Sequence, residues 1–395
     1  MKIAGVVAEY NPYHNGHRYL AENLRKQGAT HIAAVMSGHL VQRGEVPLFS
    51  KWARAKAALK NGIDLIIELP SLYAALSAER FADAAVSLLD QTGCIDLLGF
   101  GSETGNTALI LEAARLCTSA CVNAEIRTEL GKGVSYAAAR QAAVEHLAGE
   151  GVASVLTHPN NILAVEYCKA LRRLNSQIKP IAVTRMGAEH DSSGGIQGIA
   201  SASFLRDNFR RGLTISEYVP ESAMKIYTEE FECGRAFLNP EKLEIALLFQ
   251  LRKLSAPDFA ALPDVSEGLE LRLWRAAQSA RSLAEFYALA KTKRYAHSRL
   301  RRIVLYAALG ITKADLQIRP PYLHILGANS RGLEIMAEMK KMARLPYGTS
   351  LAKLSKSENK RIAELEIRSG NLFALGVEKI LPGGLDYTAE AVMLK

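Results

Sequence analysis

Four short apolar runs, each separated from the next by a helix-length stretch, constrain the fold of the first hundred residues. Residues 3–8, 31–36, 63–69 and 95–100 are of strand length and apolar on both faces. That is the pattern of parallel strands covered on two sides, not of half-exposed antiparallel ones. Helical patterns fill the intervals at about 16–26, from Ser50 (a suitable N-cap) and over 79–91. Pro70 and Gly101 stop the third and fourth strands. Strand and helix alternating at this interval predict an open parallel α/β sheet. Such sheets bind ligands beyond the carboxyl ends of their strands.

Further along, 109–174 reads as mostly helical, 181–184 as a fifth strand, and 187–198 as a Gly/Ser-rich segment holding His190 and Asp191. A helix start follows at 199–206. Beyond about 220 strand signals become rare, and helical periodicity marks 242–254, 269–280, 283–289 and 297–309. Two domains are expected: 1–225, an α/β catalytic unit, and 226–395, mainly helical. The chain has 395 residues, 49% hydrophobic and 23% charged, enough for a full core and incompatible with long disorder. No run approaches the roughly 18 apolar residues of a membrane span, and the apolar start is too short for a signal peptide. Five cysteines without C-x-x-C spacing read as buried thiols in a reducing compartment. Cys117 and Cys121 fall within one helical pattern and would share a face, with no further metal ligands nearby. A cytoplasmic protein is expected. The net charge of +9 suits a polyanionic partner without proving one.

The sharpest motif is Glu9-Tyr10-Asn11-Pro12-Tyr13-His14-Asn15-Gly16-His17, between the first strand and the first helix. Gly16 permits close backbone approach, and the helix N-terminus offers free N–H groups and a positive dipole end. His14 and His17, three apart, project to one side. Two imidazoles there suit a polyphosphate, whose oxygens gain charge as pyrophosphate departs. They also fit half a metal site, or plain helix-cap groups.

His14-Asn15-Gly16-His17 after a first strand resembles the H-x-G-H signature of the nucleotidyltransferase superfamily. Ile199 to Arg206 is similar to that superfamily's I-S-x-T-x-x-R segment, with Ser201 at the serine, Ser203 in place of threonine, and Arg206 at the arginine. A closer resemblance runs through six motifs in order. They are Gly5 to His17, Met36 to Glu45, Ser50-Lys51-Trp52-Ala53-Arg54, Phe100-Gly101-Ser102-Glu103, Pro159 to Leu163, and Lys291-Thr292-Lys293-Arg294-Tyr295. Together these resemble the bacterial tRNA(Met) cytidine acetate ligase family. Departures fall at His39, where an aromatic residue is expected, and at Glu189-His190, where Tyr is expected.

The resemblance implies a Rossmann-like nucleotidyltransferase domain followed by a mainly helical one. It implies N4-acetylcytidine formation at the wobble position of elongator tRNA(Met) from acetate and ATP, through acetyl-adenylate. It implies ATP contacts along Val7, Ala8, Glu9, Tyr10, Asn11, Pro12, Tyr13, His14, Asn15, Gly16, His17, Arg18, Tyr19 and Leu20. Further contacts are implied at Gly101, at Asn160 or Asn161 (with Asn161 preferred), at Arg185, and at Ser203 and Arg206. His14, His17 and Arg206 are the expected catalytic groups. Acetate is ionised at neutral pH and needs no base to attack phosphorus. What the step needs is charge neutralisation, by these side chains and by Mg2+ carried with the nucleotide. No protein metal site is expected.

For tRNA, the candidates are Arg43, Lys51 and Arg54 near the ligand side, and Lys291, Lys293, Arg294, Arg299, Arg301 and Arg302 in a run without acids, interleaved with Tyr295 and His297. Arg43 has the alternative of a loop salt bridge with Glu45. Lys51 and Arg54 have the alternative of a solvated helix face. Glu103 is a candidate for a ribose hydroxyl or an amine, His158 reads as structural, and Asp191 as ordering its loop. Two rival functions stay open: a small-molecule adenylyltransferase on a phosphorylated cofactor precursor, and a non-catalytic RNA-binding protein.

Overall fold

A computed structural model describes residues 1–186, 198–266, 268–292, 295–356 and 360–395. Its strands are β1 (Ile3–Ala8), β2 (His31–Ser37), β3 (Leu65–Leu69), β4 (Leu97–Ser102), β5 (Lys179–Thr184), β6 (Leu323–Ala328), β7 (Tyr347–Gly348) and β8 (Val392–Met393). They form one sheet in the order β5-β4-β1-β2-β3-β6-β7, with β8 also pairing β6. β1 to β5 are mutually parallel, in registers such as Ile3↔His31, Ala33↔Leu65, Ala4↔Leu97 and Leu97↔Lys179. Alternate residues feed two cores. Ile3, Ala33, Val35, Leu65 and Ile67 face one, with the helix Ala78–Gln91. Ala4, Val6, Ala34, Met36 and Ile66 face the other, with the helices Asn15–Lys26 and Lys51–Leu59. Each fully buried Leu or Ile contributes about 1.5–3 kcal/mol of burial free energy, which is why these strands are apolar on both faces.

The C-terminal half is mainly helical, as expected, in Glu244–Lys253, Leu269–Ser279, Leu283–Ala290, His297–Leu309, Ser330–Met342 and Lys360–Gly376. It also returns to the sheet. β6 runs antiparallel to β3, with Leu65 opposite Ala328, so the sheet is shared across the expected division at 225/226. Around that division the chain is tied to the N-terminal half. Tyr227 accepts a hydrogen bond from Tyr13 N at 2.8 Å and stacks on Phe49 at 4.2 Å. Phe237 N donates to Leu48 O at 2.7 Å.

Three expectations are corrected. Cys117 and Cys121 do not share a helix, because one ends at Cys117 and the next, capped by Ser119, begins at Ala120. Only Cys117 and Cys168 are buried, Cys94 and Cys233 being half-buried and Cys121 exposed, although all five cysteines are free. Lys51 and Arg54, expected at a surface that could meet tRNA, are interior residues, each 0% exposed. The Lys51 ammonium is paired with Glu68 and Asp386, and lies 3.2 Å from Glu366. Burial works against its charge, but the three carboxylates overcome that and push its pKa up. His324 Nδ1 lies 2.6 Å from Glu68, and His39 Nε2 lies 3.0 Å from Asp386. This ion partner explains the imidazole at position 39. His39, Glu366 and Asp386 have the spacing of a metal site, but the ammonium fills the cation's place. Arg54 donates to the carbonyls of Phe49, Glu9, Ser37 and Gly38, so it braces backbone rather than meeting a ligand.

Candidate active site

A cavity of about 450 Å³ opens beyond the carboxyl ends of β1, β4 and β5. It lies where the strand order reverses, with β4 on one side of β1 and β2 on the other, the usual ligand position in such sheets. Three helices present their N-terminal turns to it: Asn15–Lys26, Pro159–Arg173 and Ala202–Arg210. None carries an acid in its first turn, so three positive dipole ends meet without internal neutralisation.

His14 is the N-cap of the first of these helices and is buried, 6% exposed. Its Nδ1 accepts from Gly16 N at 3.1 Å, and the Nδ1 of His17 accepts from His14 N at 3.2 Å. A backbone N–H can only donate, so in each ring the proton sits on Nε2. The two rings lie 3.8 Å apart between centroids. Burial, with Arg185 and Arg206 adding to it, lowers the pKa of His14 to about 3. Burial, then His14 and Arg185, hold His17 well below its ordinary value. Both imidazoles are therefore neutral at physiological pH, each keeping one fixed N–H donor. Gly16 is required locally, because a Cβ there would stand 2.9 Å from His14 Cε1. Tyr10 takes a left-handed backbone conformation (φ 47°) and packs its ring 4.9 Å from that of His17. For a bulky side chain that conformation stores about 1–3 kcal/mol.

Arg206 reaches back from the third helix. Its Nη1 donates to Asn11 O at 3.0 Å, and its Nη2 lies 3.6 Å from Glu45. Ser201 caps that helix through Phe204 N and sits 3.1 Å from the hydroxyl of Ser203. Arg185, on the wall beside Gly101, has a buried Nε without a partner among the described residues.

Val7, Ala8, Glu9, Tyr10, Asn11, His14, Gly16, His17, Tyr19, Leu20, Gly101, Asn160, Arg185, Ser203 and Arg206 all line the cavity. Five other expected residues are not on the wall. Tyr13 is fully buried and donates through its hydroxyl to Asn61 O. Pro12 is in the same turn. Asn15 binds the carbonyls of Gly198 and Glu217, and Arg18 pairs with Glu22 at 3.6 Å. Asn161, the preferred asparagine, has its carboxamide oxygen engaged by Ser102 Oγ at 2.7 Å and Glu103 N at 2.9 Å. Of the pair it is Asn160 that reaches the wall. Glu103 is no free ribose ligand: its oxygens accept from Asn160 Nδ2 at 2.6 Å and Asn161 N at 2.9 Å. Sequence reasoning missed Gln42, Phe81, Phe100, Leu163 and Tyr167 on the wall. Only the position of Gln42 beyond β2 hinted at it.

Residues 1–383 match the family model described as HIGH Nucleotidyl Transferase. The chain belongs to this family. It is 35% identical over 396 residues to the tRNA(Met) cytidine acetate ligase of Caldanaerobacter subterraneus subsp. tengcongensis, covering 98% of each chain. It superposes on Thermotoga maritima TmcAL bound with alpha-thio ATP with a TM-score of 0.91, at 30% identity and full coverage of both chains. Against the apo form of that protein the TM-score is 0.94.

In this HIGH nucleotidyl transferase the basic run of the C-terminal half is less available than its sequence suggests. Arg302 is buried and pairs with Asp264 at 2.7 Å. Arg301 pairs with Glu45 at 2.6 Å, and Arg299 donates to Asp264 O at 2.7 Å while lying 4.6 Å over the ring of Tyr295. Glu45 therefore answers to Arg301 and Arg206. Tyr295, expected to stack on a base, is buried, 9% exposed. Arg43, on the cavity wall, and Lys291 are exposed. Lys293, Arg294, His190 and Asp191 lie outside the described residues. No helix among the described residues is long and apolar enough to cross a membrane.

Proposed function

We propose that this enzyme activates acetate with ATP as acetyl-adenylate and transfers the acetyl group to N4 of the wobble cytidine of elongator tRNA(Met), in the cytoplasm. The observation that carries the reading is the pair of neutral imidazoles, each held by a backbone N–H so that its Nε2–H stays free to donate. Family membership and the named relatives supply the reaction class.

The steps follow from charge. The acetate carboxylate attacks the α-phosphorus and pyrophosphate leaves. Charge then builds on the departing oxygens, where His14, His17, Arg206 and three helix N-termini present fixed donors. Donors already oriented need no reorganisation during the reaction. Among the described residues the wall carries one carboxylate, Glu9, and the hydroxyls of Ser201 and Ser203 are also on it. That set suits an Mg2+ ion carried by the triphosphate oxygens, where it would neutralise phosphate charge. The cytidine amine, a poor nucleophile, then takes the acetyl group, and positioning supplies much of that step. Arg43 and Lys291 are the described cations we assign to tRNA phosphates, with Lys293 and Arg294 proposed beside them from the sequence.

Incubation with heavy-oxygen-labelled acetate, ATP and a tRNA(Met) transcript tests this reading. The expected products are acetylated cytidine and AMP carrying one oxygen from acetate. A dinucleotide formed without tRNA would instead indicate a small-molecule adenylyltransferase. RNA binding without ATP turnover would indicate a non-catalytic protein.

A further inference from the structure

Resting on that reading, we infer that Arg210 and Arg301 form a phosphate subsite at the rim of the cavity, which holds the RNA backbone beside the cytidine to be acetylated. Arg210 closes the helix Ala202–Arg210, four residues after Arg206. Residues four apart share a helix face and are separated by about 6 Å along the axis. Arg206 lines the cavity and Arg210 does not, so the second guanidinium lies about one turn further out. Glu45 joins this helix to the C-terminal half. Its Oε1 accepts from Arg301 Nη1 at 2.6 Å, and its Oε2 lies 3.6 Å from Arg206 Nη2. The loop that carries it is pressed against the helix His297–Leu309, where a Cβ on Gly44 would stand 2.6 Å from Arg302 N. The charges of Glu45, Arg206 and Asp207 act on Arg210. Three guanidiniums from two helices therefore converge on one carboxylate.

The positive charge there is incompletely answered. Arg210 is half-buried, and its Nε, like that of Arg301, is buried without a partner among the described residues. Burial lowers the pKa of Arg210, opposed by Glu45 and Asp207 and reinforced by Arg206. Glu45 is already shared by Arg301 and Arg206, and Asp207 is exposed to water. Taking a guanidinium out of water without a full partner is costly. A phosphate, whose oxygens match the planar fork, is the partner that suits it. Position makes that phosphate one of RNA rather than of ATP. A cytidine whose N4 reaches the acetyl group has its base in the cavity, so its flanking phosphates lie at the rim, where the strand leaves. Positive charge also continues outward from Arg301. It acts on half-buried Tyr287 and on exposed His297, whose rings lie 4.8 Å apart, and Lys291 acts on His297 in turn. One basic track thus runs from Arg206 beside the nucleotide to Lys291, the cation already assigned to tRNA.

The test pairs Arg210→Gln with tRNA(Met) carrying one uncharged methylphosphonate linkage, placed in turn at each phosphate flanking the wobble cytidine. In the full-length protein, tRNA affinity, its salt dependence and acetate-dependent exchange of pyrophosphate into ATP are measured. Arg210→Gln should weaken tRNA binding about tenfold or more and lower the slope of log affinity against log salt by about 0.7. Exchange should stay within about twofold of the parent. One of the methylphosphonate linkages should weaken binding by a similar factor in the parent and by nothing further in the variant, because both remove the same contact. Arg210→Lys should keep the slope at reduced affinity, and its cycle with the same linkage serves if the glutamine variant does not fold. Losses that add at every flanking phosphate, or an unchanged slope with Arg210→Gln, would overturn the inference. Exchange that falls as far as tRNA affinity would overturn it in favour of a nucleotide-phosphate role. Absence of acetate-dependent exchange in the unmodified protein would overturn the underlying reading itself, and this inference with it.

Discussion

Replacing Gly16 with alanine separates the chemistry of the first helix from its stability. The added Cβ would lie 2.9 Å from His14 Cε1, 3.1 Å from His14 Nδ1 and 3.6 Å from Ile199 Cγ2. The imidazole must therefore turn away, breaking the hydrogen bond from Gly16 N and moving its Nε2–H off the phosphate position. A hydrogen bond to a charged group is worth about 1.5–3 kcal/mol, so acetate-dependent pyrophosphate exchange should fall about 10- to 150-fold. The fold should hardly notice. Alanine gains up to about 1 kcal/mol over glycine in a helix, and the weakened cap loses about the same. The two nearly cancel, leaving the thermal midpoint within about 4 °C of the parent. Exchange kinetics and a thermal melt on the same preparation read both. Exchange within about twofold of the parent would refute the phosphate-donor role of His14, and a melt lowered by more than about 10 °C would assign the loss to folding instead.

Lys51→Met leaves the carboxylates of Glu68, Glu366 and Asp386 buried without their ammonium and should cost about 3–5 kcal/mol in denaturant unfolding; unchanged stability with weakened tRNA binding would contradict its interior position. Lys291→Glu should weaken tRNA binding, lower the slope of log affinity against log salt by about 1, and leave pyrophosphate exchange unaltered; an unchanged slope removes it from the interface. The histidine pair gives a signed pH dependence. Above an unfolded pKa near 6.5 both states hold neutral imidazoles, so nothing is contributed. Below it the unfolded chain binds protons while the native state, with His14 at about 3 and His17 also lowered, does not. Stability should therefore fall with pH below about 6.5, by up to about 1.4 kcal/mol per unit for each histidine. The His14→Asn, His17→Asn double variant should show a shallower fall between pH 7.5 and 5.5, and an identical slope would show that the two rings are not held neutral.

What the sequence discloses is what short-range physics determines. Strands buried on both faces are apolar throughout, so β1 to β4 and the helices between them could be read directly, and the turn that seats His14, Gly16 and His17 is contiguous. What stayed hidden depends on partners far along the chain. β6 is a six-residue apolar run that pairs β3, and which strand so distant a run joins cannot be read locally. Lys51 and Arg54 look like surface cations because their partners Glu366, Asp386 and the Gly38 carbonyl are separated from them in sequence or belong to backbone. The available hint was their setting: Ala53, Ala55, Ala57, Ala58 and Leu59 surround them, and a helix apolar on most sides is an interior helix. Likewise Arg302 precedes Ile303, Val304 and Leu305, all buried, and its pairing with Asp264 could not be read from the local run. In the site, Asn160 and Asn161 are adjacent in sequence but divided by helix geometry, one on the wall and one bracing the loop after β4.

The most direct test of the account is a crystal structure of this chain with a non-hydrolysable ATP analogue. The triphosphate should lie in the cavity beyond β1, with phosphate oxygens at about 3 Å from Nε2 of both His14 and His17 and within reach of Arg206. A nucleotide seated elsewhere, or phosphates that leave both imidazoles untouched, would contradict it.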